Sequence, residues 1–163
     1  MIVNFHARTL RAPADRIAAL VATLASPEDA LWPRDRWPRM KLDGPLSVGS
    51  RGGHGPIRYA IQIYEPERRI RFRFLGPEGF DGYHEFRFET AGEGLTRIEH
   101  DLRMKPRGRS RLTWPLVYRP LHDALIEDAF DRAERFCGTA PRRRRWSPWV
   151  RVLRFGMRRR SSR

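Results

Sequence analysis

Two histidines, His84 and His100, occupy strand-like segments in which the neighbouring positions of the same parity are apolar. The segments are consecutive and joined at Gly92-Glu93-Gly94, so pairing of the strands would bring the imidazoles within reach, directly opposite or diagonally. Together with Tyr59 they are candidate catalytic residues that could hold a ligand's oxygen atom or act as acid and base on a carbonyl compound. The alternative interpretation is that each histidine is a structural residue of the core or its rim.

Other residue types that could do chemistry give weaker signals. His54 stands among glycines in RGGHGP, a loop that either brings backbone close to a ligand or makes a turn that needs positive φ. Cys137 is the single cysteine, so an intrachain disulfide is excluded. The chain has no Ser-His-Asp order, no Rossmann glycines, no HExxH and no clustered His, Cys and Asp spacing. We therefore expect no metal, no cofactor and no nucleophilic enzyme.

A period of two in the apolar residues predicts the strands that position these side chains. It runs through residues 2–11 and then through 57–64, 70–75, 80–90 and 95–105, which is typical of an antiparallel meander. Alternation puts charges on one face of this sheet and apolar groups on the other. Alternation places ten residues on the inward face: Tyr59, Ile61, Ile63, Phe72, Phe74, His84, Phe86, Ile98, His100 and Leu102.

Three stretches have helical features. Ala12-Pro13-Ala14-Asp15 begins a helix whose apolar residues recur three and four apart, and the start of 26–32 looks like the cap of a second, short helix. The same spacing predicts a long amphipathic helix over residues 120–137, its regular part delayed by prolines near the start. Glu127 and Asp128 flank the apolar face of that helix, so we expect both to be solvated.

This order of elements resembles the START-like (SRPBCC) superfamily, the polyketide cyclase/dehydrase and lipid-transport family. The resemblance covers residues 1–138 and rests on the opening strand running into RAPADRIAAL, and on LWPRDRWPRMKLDGPLSVGS, RYAIQIYEPERRIRFRF and PLHDALIEDAFDRAERF. It implies an α+β helix-grip fold, a curved antiparallel β-sheet wrapped around a long C-terminal α-helix, with two short helices after the first strand and an apolar cavity between sheet and helix. The residues of the inward face would line that cavity as its ligand-binding set. Trp32 and Trp37 would either join that set by covering the cavity mouth or simply pack on the sheet.

The resemblance and the inward face lead to one leading function and one alternative. The leading function is binding of a small hydrophobic molecule, lipid-like or polyketide-like, in that cavity. The alternative is a cyclase or dehydratase that uses the inward histidines. The resemblance also implies that a homodimer is possible. The N-terminus lacks signal-peptide features and no apolar stretch approaches about 18 residues, so we expect a cytoplasmic protein.

The C-terminal segment, residues 139–163, has a different composition from the body. Its ten arginines are not matched by any acidic residue, whereas all 19 acidic residues of the chain precede it. Ser147-Pro148 is typical of a helix start, and the following residues form a basic amphipathic pattern. The segment could pack on the protein, lie on an anionic membrane through residues 142–160, or be disordered. Nucleic-acid binding is less favoured because the body carries no recognisable nucleic-acid motif.

Overall fold

The computed structural model describes residues 1–161, with side chains as far as Met157. Its larger layer is a curved antiparallel sheet, as predicted. The strands are β1 Ile2–Leu10, β2 Lys41–Leu42, β3 Arg51–His54, β4 Ile57–Glu65, β5 Arg69–Gly76, β6 Phe80–Gly92 and β7 Leu95–Pro106. Their order across the sheet is β1-β7-β6-β5-β4-β3-β2. The first strand thus pairs with the last, and the meander runs from β7 back to β2.

The helices are α1 Ala14–Ala22, α2 Ser110–Thr113, α3 Arg119–Phe136 and α4 Pro148–Ser161, with a π-helical turn at Trp114–Tyr118. The long helix α3 packs on the inner face of the sheet through buried residues three and four apart, including Leu125, Ala129 and Phe130. Pro120 stands in the first turn of α3, directly after the π-helical turn, and the Leu116 carbonyl four residues before it accepts a hydrogen bond from the Trp149 indole. This agrees with the predicted delay in the regular part of the long helix.

A bulge in β4 reverses the parity on which one prediction depended. Ile61 pairs with Phe72, but Ile63 pairs with Arg71, so Gln62 is an extra residue. Ile63 therefore shares the outer face with Arg71, and its predicted inward position is wrong. Strict alternation cannot anticipate an inserted residue, because a shift of one position exchanges the two faces.

The second short helix predicted over residues 26–32 does not form; these residues make turns. The buried carboxylate of Asp29 accepts hydrogen bonds from the backbone N–H groups of Ala25, Leu31 and Trp32. A helix would need those groups for its own ladder, so the side chain competes with helical hydrogen bonding. Ala25 has a φ of 64°, which also interrupts any helix at that point.

The basic C-terminal segment packs on the body through α4. Val150 belongs to the main hydrophobic core, and the Trp146 ring lies 5.2 Å from the Trp37 ring. Both indole nitrogens donate to Asp128, at 3.0 Å from Trp146 and 2.7 Å from Trp37. Asp128 is thus a buried junction, and the expectation that it is solvated is wrong. Of the alternatives for the segment, packing on the protein is the one the structure shows.

The structure does not describe the basic C-terminal segment to its end. Ser162 and Arg163, which end the predicted tail, lie outside the described residues, as do the side chains of 158–161. Over residues 1–161, no helix combines the length and the apolar character needed to cross a bilayer.

Candidate functional site

An apolar cavity lies between the inner face of the sheet and α3. Its volume, counted as the space that the centre of a water molecule can occupy, is about 80 Å³. Met157 of α4 closes one side of it. The segment between α1 and β2 contributes Trp32, Trp37 and Pro38. The sheet and the turn before β4 contribute His54, Gly55, Pro56, Ile57, Phe74, Phe80, His84, His100 and Leu102, and the helical side contributes Trp114, Tyr118, Leu121, His122, Leu125 and Ile126.

The predicted ligand-binding residues divide according to their place on the inner face. The wall of the cavity contains Trp32, Trp37, Phe74, His84, His100 and Leu102. The wall does not include Tyr59, Ile61, Phe72, Phe86 and Ile98, which are buried in the main core. Alternation identifies the face of a strand but not which part of that face the helix covers, and here α1 and α3 cover the end that holds these five.

His84 and His100 are diagonal neighbours on paired strands. The register places His84 opposite Leu102 and His100 opposite Phe86, and the His84 Nδ1 atom lies 3.3 Å from the His100 Nε2 atom. Both side chains are buried. Within the described part of the chain, the other two ring nitrogens, His84 Nε2 and His100 Nδ1, have no hydrogen-bond partner. The pair thus has two buried polar atoms without a partner, on side chains that belong to the cavity wall.

Burial sets the charge of this pair. It lowers the pKa of His84 and of His100 well below the ordinary value, because the imidazolium form loses its hydration. Both rings are neutral at pH 7. One ring donates its single N–H to the other, and each neutral ring has one donor and one acceptor nitrogen in total.

Two further histidines lie in the cavity wall. The His122 ring, from α3, is 4.9 Å from the His100 ring. Its Nδ1 atom lies 3.8 Å from the Asp123 carboxylate, which is beyond hydrogen-bond distance, so neither nitrogen has a hydrogen-bond partner among the described residues. Burial lowers the pKa of His122. Sequence reasoning did not single out His122, although Leu125 and Ile126, three and four residues later, place it on the inward stripe of the helix.

For His54 the sequence allowed two interpretations, a turn or a contact with a ligand. His54 stands at the end of β3 and packs against Trp32, with ring centroids 4.6 Å apart. Its Nδ1 atom is 3.3 Å from the Tyr59 hydroxyl, within hydrogen-bond distance. Burial lowers the pKa of His54 to about 3 and raises the pKa of Tyr59, so both stay neutral. The catalytic candidate Tyr59 therefore supports His54 from the core.

His6, on β1 beside the cavity, has the opposite electrostatic state. Its Nδ1 atom lies 2.9 Å from Glu127 and its Nε2 atom 3.2 Å from Asp123. Burial disfavours the charged ring, but hydrogen bonds to the two carboxylates outweigh burial and raise the pKa of His6 to about 9. Glu127 also pairs with Arg8 at 2.5 Å, so its predicted solvation is wrong as well.

One cluster near the cavity has ligand types that a metal ion accepts. His6, His122 and Asp123 offer atoms within 4.8 Å of one another. However, both nitrogens of His6 face carboxylates, and its raised pKa means that a metal ion would have to displace a tightly held proton. The arrangement therefore favours an imidazolium held between two carboxylates.

Comparison with known proteins places this architecture. No protein-family model matches the chain, and no curated protein matches it. Norcoclaurine synthase from Thalictrum flavum, solved with dopamine and hydroxybenzaldehyde, is 13% identical, with 82% of this chain and 84% of that chain covered and a TM-score of 0.63. The chain has the helix-grip fold.

Bacterial structures show the same likeness. CalU16 from Micromonospora echinospora is 18% identical, with 95% of this chain and 83% of that chain covered and a TM-score of 0.61. A Thermobifida fusca protein is 12% identical, with 83% of this chain and 95% of that chain covered and a TM-score of 0.63. At such identities the likeness establishes the fold and nothing finer.

Proposed function

We propose that the chain binds a compact, largely apolar molecule that carries at least one hydrogen-bonding group. The observation that carries this proposal is an apolar cavity whose wall contains His84, His100 and His122, each of which has a buried ring nitrogen without a partner among the described residues. A buried polar atom without a partner costs about 1–3 kcal/mol. A ligand that supplies the missing hydrogen bonds would recover part of that cost, while its apolar body replaces water in the cavity.

The size of the cavity narrows the ligand class. A volume of about 80 Å³ for water-sized centres suits a molecule near the size of one substituted ring better than an extended acyl chain. A lipid-like or polyketide-like ligand would need Met157 and α4 to move. Norcoclaurine synthase, whose structure holds dopamine and hydroxybenzaldehyde, supports the idea that a helix-grip cavity can take single-ring compounds.

Intrinsic fluorescence tests the proposal, because Trp32, Trp37 and Trp114 stand in the cavity wall. We expect hydroxylated and formylated single-ring compounds to change the tryptophan emission in a saturable way. Leu102→Trp fills the cavity and should abolish binding. Leu75→Trp places the same side chain at an exposed site and should leave binding intact. Failure of every such probe with the unaltered protein, or equal binding by the two variants, would contradict the proposal.

A second candidate is acid–base catalysis by the same imidazoles, and the contact between His84 and His100 favours it. In a bound β-hydroxy ketone, a neutral imidazole could take the proton from the carbon next to the carbonyl as the C=C bond forms. The same proton would pass to the departing hydroxyl, which leaves as water. We expect His100→Gln to abolish water loss, followed by mass spectrometry, while the probe still binds. Turnover that persists in His100→Gln would remove this candidate.

A further inference from the structure

The helix α4 is apolar on two opposite sides. Val150 and Met157 point into the protein, Val150 to the core and Met157 to the cavity. On the other side Trp149, Val152 and Phe155 are exposed by 49%, 60% and 60%. A helix that covers a globular domain needs only its inner apolar stripe, so the outer one calls for a separate explanation.

The outer side of α4 continues onto a neighbouring segment. The Trp149 indole nitrogen donates to the backbone carbonyl of Leu116 at 2.7 Å, which fixes the ring beside the π-helical turn. Leu116 is 59% exposed, and Leu112, one turn earlier, is 70% exposed. We call the surface formed by Leu112, Leu116, Trp149, Val152 and Phe155 the outer apolar patch. It holds half of the ten large apolar side chains that are exposed in the described structure.

Exposed arginines lie in or next to the segments that form the outer apolar patch. They are Arg111, Arg119, Arg145 and Arg151. No acidic residue follows Glu134 in the sequence. An exposed apolar surface with a cationic border is complementary to a layer that is apolar inside and anionic at its surface.

We propose that the outer apolar patch docks on an anionic lipid membrane. Basic amphipathic helices lie in the membrane interface in this way, with aromatic rings at the headgroup level. A second copy of the chain is a poorer occupant because the net charge of +14 makes the copies repel each other. A nucleic acid is poorer because three of the five side chains, Leu112, Leu116 and Val152, are aliphatic and cannot stack on bases.

Docking would bring the cavity close to the bilayer, since α4 also contributes Met157 to the cavity wall. An apolar ligand could then exchange with the membrane across one helix, a consequence that rests on the proposed function. Docking itself does not, because vesicle binding is measured without a ligand. The two proposals can therefore fail separately.

The test is co-sedimentation of the full chain with vesicles of phosphatidylglycerol and phosphatidylcholine, compared with phosphatidylcholine alone. We expect Val152→Ser with Phe155→Ser to weaken partitioning about tenfold or more, because both side chains would leave the interface. The matched control is Val3→Ser with Phe5→Ser, the same exchange at sites of 52% and 47% exposure on β1. That control should bind like the unaltered protein.

A second pair of variants tests how far positive charge contributes to vesicle binding. Arg145→Gln with Arg151→Gln should weaken binding to anionic vesicles about tenfold, since each basic residue near the surface contributes to the attraction. Arg11→Gln with Arg68→Gln removes the same charge from exposed sites elsewhere and should have a smaller effect. All variants change exposed side chains, and circular dichroism checks that they fold.

Several results would overturn the docking proposal. These are the absence of vesicle binding, equal binding to anionic and neutral vesicles, and equal losses in the patch variant and the β1 control. A dimer in sedimentation velocity that only the patch variant dissolves would assign the surface to a second copy. Binding to RNA without binding to vesicles would assign it to nucleic acid.

Discussion

His6 and His100 face each other across β1 and β7, yet their surroundings give them opposite charges. The register pairs their Cα atoms directly. His6 meets two carboxylates, which raise its pKa to about 9, whereas His100 meets only imidazoles and apolar groups, and burial lowers its pKa well below the ordinary value. Carboxylate partners therefore decide the charge of His6, and burial without such partners decides the charge of His100.

The positive charge of His6 also affects the histidines of the cavity wall. His122 lies between the two, 6.1 Å from the His6 ring and 4.9 Å from the His100 ring. The nearby positive charge of His6 further disfavours protonation of His100 and of His122. The imidazolium outside the cavity thus helps to keep the rings inside it neutral, which suits them to exchange hydrogen bonds with a ligand.

The largest expected effect comes from removing the carboxylates of the charged site. Asp123→Asn with Glu127→Gln leaves His6 buried without anionic partners, so its pKa should fall from about 9 to below 6.5. The free energy of unfolding at pH 7 should fall by about 3 kcal/mol, because Arg8 also loses a partner. Side-chain NMR titration resolves the question, since the chain has only five histidines.

The control for that variant is Asp15→Asn with Glu93→Gln, the same chemical change at exposed positions far from His6. It should leave the His6 titration unchanged. A His6 ring that stays charged at pH 8 after loss of both carboxylates would mean that partners do not decide its charge.

The second expected effect is a pH dependence with opposite signs at the two sites. The folded-state pKa of His6, about 9, exceeds its unfolded value of 6.5, so its stabilisation is complete below pH 6.5 and is lost as pH rises through 9. After allowance for partial exposure this is on the order of 2 kcal/mol. The cavity histidines have lowered pKa values, so their contribution is present above pH 6.5 and is lost as pH falls below it.

Urea unfolding at pH 5, 7 and 9.5 measures both the loss of stability at acid pH and the loss at alkaline pH. In His6→Gln the loss between pH 7 and 9.5 should shrink, while the loss between pH 7 and 5 should remain. If His6→Gln changed the acid loss and the alkaline loss equally, the alkaline loss could not be assigned to His6.

The fold was predictable because its determinants are local. Alternating residues gave the strands, and spacing of three and four gave α3, so His84 and His100 were placed on the inner face of paired strands. The bulge at Gln62 and the turn organised by Asp29 were not predictable, because in each a single residue overrides a pattern that continues around it.

The site was only partly predictable because its electrostatics depend on contacts between distant segments. Glu127 and Asp128 looked solvated in the helical pattern, but they meet Arg8 and Trp37, which are 119 and 91 residues away. The outer side of α4 was likewise hidden, since the sequence indicates amphipathicity but not which side faces the body.

The smallest expected effect is a difference in stability between variants of two cavity histidines, His122 and His54, which differ in their hydrogen bonds. His122→Leu removes two nitrogens that lack hydrogen-bond partners in the described structure and introduces a good helix former on α3, so we expect stability at pH 7 to rise by about 1 kcal/mol. His54→Leu instead leaves the buried Tyr59 hydroxyl without its hydrogen-bond partner and should lower stability by about 1–3 kcal/mol. Thermal and urea unfolding of the two variants supply the comparison.

The sign of the His122→Leu effect decides whether the ring is structural. A stabilised variant that binds hydroxylated single-ring probes more weakly would show that His122 is kept at a cost to stability and serves the ligand. If His122→Leu is destabilised as much as His54→Leu, then His122 is part of the packing. In that case the polar side of the cavity reduces to the contact between His84 and His100, the two imidazoles that touch.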